Sequence, residues 1–398
     1  MLKGMKYRLY PTSEQAEMLA KSFGCARYAY NWVIDVRSEA YAHGERTPSR
    51  FDLNKRMTLL KRERPWLAEV SDWVLKESIN HACKAYEAFF DKRTGFPRFK
   101  SRRDSVQSAT WRRPRHVSKN HAFIPKLGVV RFREHRPLAG EVKLATISMG
   151  ASGRYHISFL VEDGTEPVPK PRHVRTAVGV DVGLTRLATL STGEIVKNPR
   201  PRKSSQRRIT RLQKKLARQR KGSNRYRETK RRLAREHERV ADRRRAYLHE
   251  LSRRLVDENQ VIAVEDLNVR GMLRNHSLAY HIADAAWSEL FRMLEYKCEW
   301  HGSHLLSCGR FQPSSKMCSA CGHIETGMTL EVRFWRCPRC GAVHDRDVNA
   351  AVNILNFAVA STVNGRGEKV RLASVEGYPF AEPSASRRSV KPLALAMG

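Results

Sequence analysis

The sequence predicts two folded parts: an antiparallel β domain carrying a helical insertion, then an α/β domain interrupted by a zinc ribbon. Three observations predict this. Residues 122–162 alternate with a period of two in the runs AFIPK, VVRF, VKLATISM and RYHISFLVE, parted by Gly, Pro and Ser turns, the pattern of a sheet or small barrel. Two apolar runs, VRTAVGVDVG at 174–183 and VIAVED at 261–266, carry a carboxylate at their far ends, where buried strands meet solvent. Two CxxC pairs, CSAC at 318–321 and CPRC at 337–340, stand fifteen residues apart, the spacing of a four-cysteine zinc site.

The elements follow in order. Residues 4–10 alternate as a strand that Pro11 stops, and Thr12 to Gln15 form a capping-box pattern for a helix to about His43. That strand has no other partner, so it is expected to join the 122–162 sheet and to make 12–94 an insertion. Two further helices fall at roughly 52–63 and 71–92, the second with Val74, Ile79, Ala82, Tyr86 and Phe89 on one stripe, which reads as core. GFPRFKSRRDS at 95–105 breaks helicity and carries Arg98, Lys100, Arg102 and Arg103; it either touches phosphates or is a solvated linker. A proline-rich stretch, 163–173, leads into the second part. A helix is expected near 279–301 and a strand at 303–309, and beyond 360 the sequence loses all period, as a flexible tail (361–398) would.

Charge narrows the partners. The 398 residues carry +35 with a pI near 10.4, a field that draws in polyanions, nucleic acid first. No run has transmembrane length and the N-terminus lacks an apolar signal core, so no membrane partner and a cytoplasmic location are expected. Residues 200–245 hold 21 Lys and Arg against four acids, a net +17. Apolar residues persist at Ile209, Leu212, Leu216, Leu233, Val240, Tyr247, Leu251 and Leu255, and KGSN (221–224) splits the run. This reads as a basic helical hairpin, 203–256, with an apolar seam and a cationic face bearing Lys214, Arg218, Arg231, Arg235 and Arg239. Such charge density is costly without a polyanion to neutralise it.

Three acids stand in marked settings: Asp181 in GVDVG, Glu265 in VEDL, and Asp347 in HDRDVNAAVNIL. Singly, each is a plausible turn or cap residue. Together, inside so basic a chain, they suggest a divalent-metal site for phosphoryl chemistry, because Mg²⁺ takes oxygen ligands. Cys318, Cys321, Cys337 and Cys340 suggest a closed, structural zinc shell that leaves His323 and His344 unneeded.

The order of these motifs, with LYPTSEQ, CARYAYN and GFPRF upstream, resembles the TnpB (OrfB) family encoded by bacterial insertion sequences, relatives of the type V CRISPR effectors. The resemblance covers nearly the whole chain. It implies a RuvC-type, RNase H-like nuclease domain at 166–317 and 345–360 holding the basic hairpin, with the zinc ribbon at 318–344. It further implies a wedge-like β-barrel domain at 1–11 and 95–165, and a helical recognition insertion at 12–94. The implied activity is RNA-guided DNA cleavage beside a short flanking motif, in a bacterial or archaeal cytoplasm. Implied partners are a guide RNA from the transposon end, a double-stranded DNA target and a transposase encoded alongside, with the chain acting as a monomer. Asp181, Glu265 and Asp347 would be the ligands of two Mg²⁺ ions; Asp345 competes for the third position, which the family gives to the second Asp of DRD. Trp73, Lys76, Trp111, Arg112 and Arg113 are candidates for reading the flanking motif, with core packing the favoured alternative for the two tryptophans. The alternatives are a non-cleaving RNA-guided repressor, a transposon accessory protein and a strand-joining transposase.

Overall fold

In this computed structural model the described residues are 1–329, 331–363 and 371–372. The chain divides into two compact units, Met1–Glu166 with Arg207–Arg239, and Pro167–Gln206 with Val240 onward.

The first unit opens with β1 (Leu2–Tyr10) and α1 (Ser13–Ala42). The capping box forms: Gln15 N donates to Thr12 Oγ1 and Thr12 N to Gln15 Oε1, both at 3.2 Å. Helices α2 (Arg50–Glu63) and α3 (Asp72–Phe90) pack on α1 around Val33, Ile34, Leu53, Leu75, Ile79 and Tyr86. Strands β2 (Val106–Arg112), β3 (Arg115–Ser118), β4 (His121–Ile124), β5 (Gly128–Arg133), β6 (Glu141–Gly150) and β7 (Tyr155–Glu162) follow. With β1 they make an antiparallel sheet in the order β2-β6-β7-β1-β5-β4-β3. The ends of that order, β2 and β3, are not paired with each other among the described residues, so the hydrogen bonding does not itself close a barrel.

The second unit carries β8 (His173–Val174), β9 (Ala177–Val182), β10 (Arg186–Leu190) and β11 (Ile195–Lys197). Helices α4 (Pro201–Ala217) and α5 (Asn224–Glu258) come next, their residues 207–239 counted with the first unit, then β12 (Val261–Glu265). The single helix expected over 279–301 is broken. After α6 (Val269–Met272), α7 (Ala279–Ala285) and α8 (Trp287–His301) part at Ala286, whose φ of 55° is left-handed. Trp287 and Ile282, on either side of that turn, both enter the core. Strands β13 (His304–Cys308), β14 (Phe334–Arg336) and β15 (Val343–Asp345), helix α9 (Arg346–Val363) and β16 (Arg371–Leu372) complete the chain. The proposed tail at 361–398 lies outside the described residues except for 361–363 and 371–372.

The central sheet runs β11-β10-β9-β12-β13, with β12 parallel to both β9 and β13. Its two faces sort by strand alternation. Val178, Val180, Ile262 and Val264 pack towards α5 and α8. Val261, Ala263 and Cys308 pack against Ile354, Leu355 and Ala358 of α9.

Candidate functional site

Register alone puts two of the three acids side by side. Val264 of β12 is paired with Val180 of β9, so Glu265 and Asp181 come next in adjacent parallel strands. Alternation assigns Asp181 to the face of Gly179, and Glu265 to the face of Ala263, the side α9 covers. Gly179 explains how α9 comes so near: a β-carbon there would lie 1.9 Å from the Ala351 carbonyl oxygen. Asp347 sits one turn before Ala351, in the first turn of α9.

Electrostatics reports the same gathering. Desolvation first, then the charges of Asp347 and Glu265, push the Asp181 carboxyl up to about 8. Burial raises Glu265 as well. Neither carboxylate has a hydrogen-bond or ion-pair partner among the described residues. Such bare acids at one sheet end, all oxygen donors, fit a hard divalent cation such as Mg²⁺. Among the described residues, the four cysteines are the one group of three or more ligating side chains drawn to holding distance.

Asp345 is otherwise engaged. Its Oδ1 accepts from Asp347 N at 2.9 Å and Val348 N at 3.2 Å, capping α9, and Arg186 Nη1 lies 3.1 Å from its Oδ2. Burial would raise its carboxyl, but Arg186 and the two amides outweigh it and hold the value low. Sequence reasoning missed Arg186. Its only signal was a cation five residues past Asp181, unremarkable in so basic a chain.

The cysteine sulfurs all lie within 4.8 Å of one another. Each CxxC closes the same knuckle: Gly322 N donates to Cys318 O and Gly341 N to Cys337 O, both at 2.9 Å. Gly322 and Gly341 take φ of 74° and 76°, which favour glycine. His344 Nε2 is 3.0 Å from Cys318 Sγ, beside the cluster and not one of the four. This soft, tetrahedral-capable set fits zinc. Two asparagines tie it to α9: Ser319 N donates to Asn349 Oδ1 at 2.9 Å, and Asn349 Nδ2 and Asn353 Nδ2 donate to Met317 O at 2.7 and 2.6 Å.

The cationic candidates divide. Arg98, Arg102, Arg103, Lys214, Arg218, Arg231 and Arg235 are exposed, with no acidic partner among the described residues. Lys100 instead lies 3.9 Å over the Tyr30 ring while Asn31 holds its backbone on both sides. Arg112 is ion-paired with the buried Glu77, so its charge is already answered. Arg239 pairs with Glu236 at 2.9 Å. Trp111 is 1 % exposed within the sheet core and does not reach a base edge, because strand alternation turns it inward. Trp73 carries Lys76, Arg112 and Arg113 over its ring at 5.3, 5.6 and 5.9 Å, and Trp73, Arg112 and Arg113 line, with Arg115, His116 and Lys143, a groove of about 1080 Å³. A second pocket of about 380 Å³ is ringed by Arg154, Arg208, Arg211, Arg232 and Arg235 around the buried Glu236.

Comparison with known proteins follows this geometry. A family model described as a probable transposase matches residues 157–276, and a Cas12f1-like TNB domain matches 287–354. A helix-turn-helix model matches 1–46, although those residues here form β1 and one continuous α1. In solved structures, the fold is similar to Cas12f1 in a complex with sgRNA and target DNA, at TM-score 0.56 and 12% identity over 89% of this chain and 98% of that one. The Cas_phi3 mini-RNA-guided endonuclease gives TM-score 0.55 at 9% identity, over 90% and 92%. Among sequences, the RNA-guided DNA endonuclease InsQ of Escherichia coli K12 is 31% identical, over 93% of this chain and 95% of its own. An RNA-guided DNA endonuclease of Streptomyces pristinaespiralis is 41% identical over 371 residues, 92% of this chain and 91% of the other. An identity of that size, sustained across both the carboxylate-bearing sheet and the four-cysteine ribbon, means that the chain belongs to the TnpB (OrfB) family.

Proposed function

We propose that this protein is an RNA-guided DNA endonuclease that hydrolyses phosphodiester bonds at Asp181, Glu265 and Asp347 with Mg²⁺. The observation that carries the reading is the bare pair Asp181–Glu265 on the α9 face of the sheet, with the Asp181 carboxyl pushed up to about 8. A cluster of acids repels nucleic acid unless a cation intervenes, so a strongly basic chain has reason to keep one only for metal-dependent chemistry. Bound there, Mg²⁺ would supply an activated water and charge stabilisation at the leaving oxygen. Asp181, whose carboxyl is raised by burial and by the charges of both Asp347 and Glu265, would hold the ion together with those two acids. Asp345, spent on the helix cap, keeps α9 and hence Asp347 in place.

The remaining roles are read from the same residues. The antiparallel sheet would act as the wedge-like domain, and the three helices at 12–94 as the recognition insertion. The groove at Trp73 would contact the duplex flanking the target, with Arg113 and Lys76 free to approach bases or phosphates. Exposed cations at 98–103 and on the basic hairpin would hold the guide–target heteroduplex by its backbone, leaving sequence to base pairing. The guide would come from the transposon end, and the enzyme would work as a monomer in the cytoplasm.

The test is cleavage of a plasmid bearing the guide-matched target, by protein purified with its co-expressed RNA. Mg²⁺-dependent breaks that vanish in Asp181→Ala, with RNA still bound, are expected. Undiminished cutting by Asp181→Ala would discard the assignment. Binding without breaks in the wild type would favour the repressor instead.

A further inference from the structure

Of the four acids near the start of α9, two are bare and two share one cation. Arg186 Nη1 lies 3.3 and 3.1 Å from the two oxygens of Asp345, and 3.4 Å from Asp347 Oδ2. It reaches there from the first residue of β10, the strand that returns antiparallel beside β9. The two carboxylates it spans are not held alike. Asp345 is fixed by two backbone amides as well. Among the described residues, Asp347 has no backbone donor on its carboxylate, and its other oxygen meets Arg333 alone, at 3.5 Å. The Asp347 carboxylate is therefore oriented, among the described residues, by two guanidiniums, and its Oδ2 is the oxygen that faces Arg186.

Taking Asp181, Glu265 and Asp347 as the metal ligands, as proposed above, we infer that Arg186 is a positioning residue that serves as a cationic placeholder. It steadies Asp347 before a divalent ion arrives, then releases Asp347 Oδ2 to that ion and stays on Asp345. One charge thus does two opposed things. It offsets repulsion among the four acids, and it would compete with a divalent cation for one of them.

These opposed effects make the test. Zinc-loaded protein without nucleic acid is titrated with Mn²⁺ by electron paramagnetic resonance, and its thermal unfolding is followed with and without saturating Mn²⁺. Arg186→Gln should bind Mn²⁺ about threefold or more tighter than wild type, while Arg186→Lys, which keeps the charge, stays near wild type. Without metal, Arg186→Gln should melt lower than wild type; at saturating Mn²⁺ that gap should close. Weaker Mn²⁺ binding by Arg186→Gln, or a melting gap that persists at saturation, would show that Arg186 only supports the fold and overturn the inference. If wild type binds Mn²⁺ no better than Asp181→Asn, the metal site itself fails and the placeholder with it.

Discussion

Gly179 of β9 and Ala351 of α9 are in backbone contact: a β-carbon on Gly179 would stand 1.9 Å from the Ala351 carbonyl oxygen and 3.0 Å from Leu355 Cβ. This approach seats the first turn of α9, with Asp347, over the end of β9, with Asp181. Replacing Gly179 by Ala should lift the helix, destabilise the second unit by about 3 kcal/mol and lower cleavage, although no acid has been touched. Denaturation and plasmid cleavage measured together check it. Cleavage at wild-type rate in a folded Gly179→Ala protein would mean the approach does not set the site.

Asp181 ties activity against stability. Its carboxyl titrates near 8 in the folded chain against an ordinary 3.8. The folded state then holds a proton that the unfolded state gives up, so stability falls as pH rises between those two values. Asp181→Asn has no such loss. Without divalent metal it should be more stable than wild type at pH 8 by up to about 5 kcal/mol, with little difference at pH 4, while cleavage falls at least about 1000-fold. Urea titrations at the two pH values settle the sign.

The ribbon should matter to α9 through Asn349. Cys318→Ser is expected to lose zinc by elemental analysis and to unfold 318–340, since structural zinc supplies about 10 kcal/mol or more. Asn349→Ala should keep zinc yet reduce cleavage, because it removes the bonds of Asn349 to Ser319 and Met317 and leaves the Asn353 bond to Met317 alone. Unchanged cleavage in that variant would show that Asn353 and the β15 connection position Asp347 without Asn349.

Arg231 and Arg235 are exposed on α5, with no acidic partner among the described residues. Reversing both to Glu should weaken RNA binding and flatten the dependence of log K on log salt by about 1 for each phosphate no longer neutralised. Filter binding at several salt concentrations measures this. A slope equal to wild type would take these two residues off the RNA.

What the sequence determined by itself was local and periodic. Apolar runs marked the strands that end at Asp181 and Glu265, the Thr12–Gln15 box marked the start of α1, and the CxxC spacing marked the knuckles, because each depends on residues a few positions apart. The order of acidic motifs was enough to suggest the family. Tertiary structure decided the rest. That Ala286 turns left-handed, that Trp111 faces inward, that Glu77 answers Arg112 and that Arg186 reaches Asp345 and Asp347 are facts about partners far apart in the chain. They depend on which strand pairs with which and how closely a helix can lie upon it, and no local pattern encodes those distances.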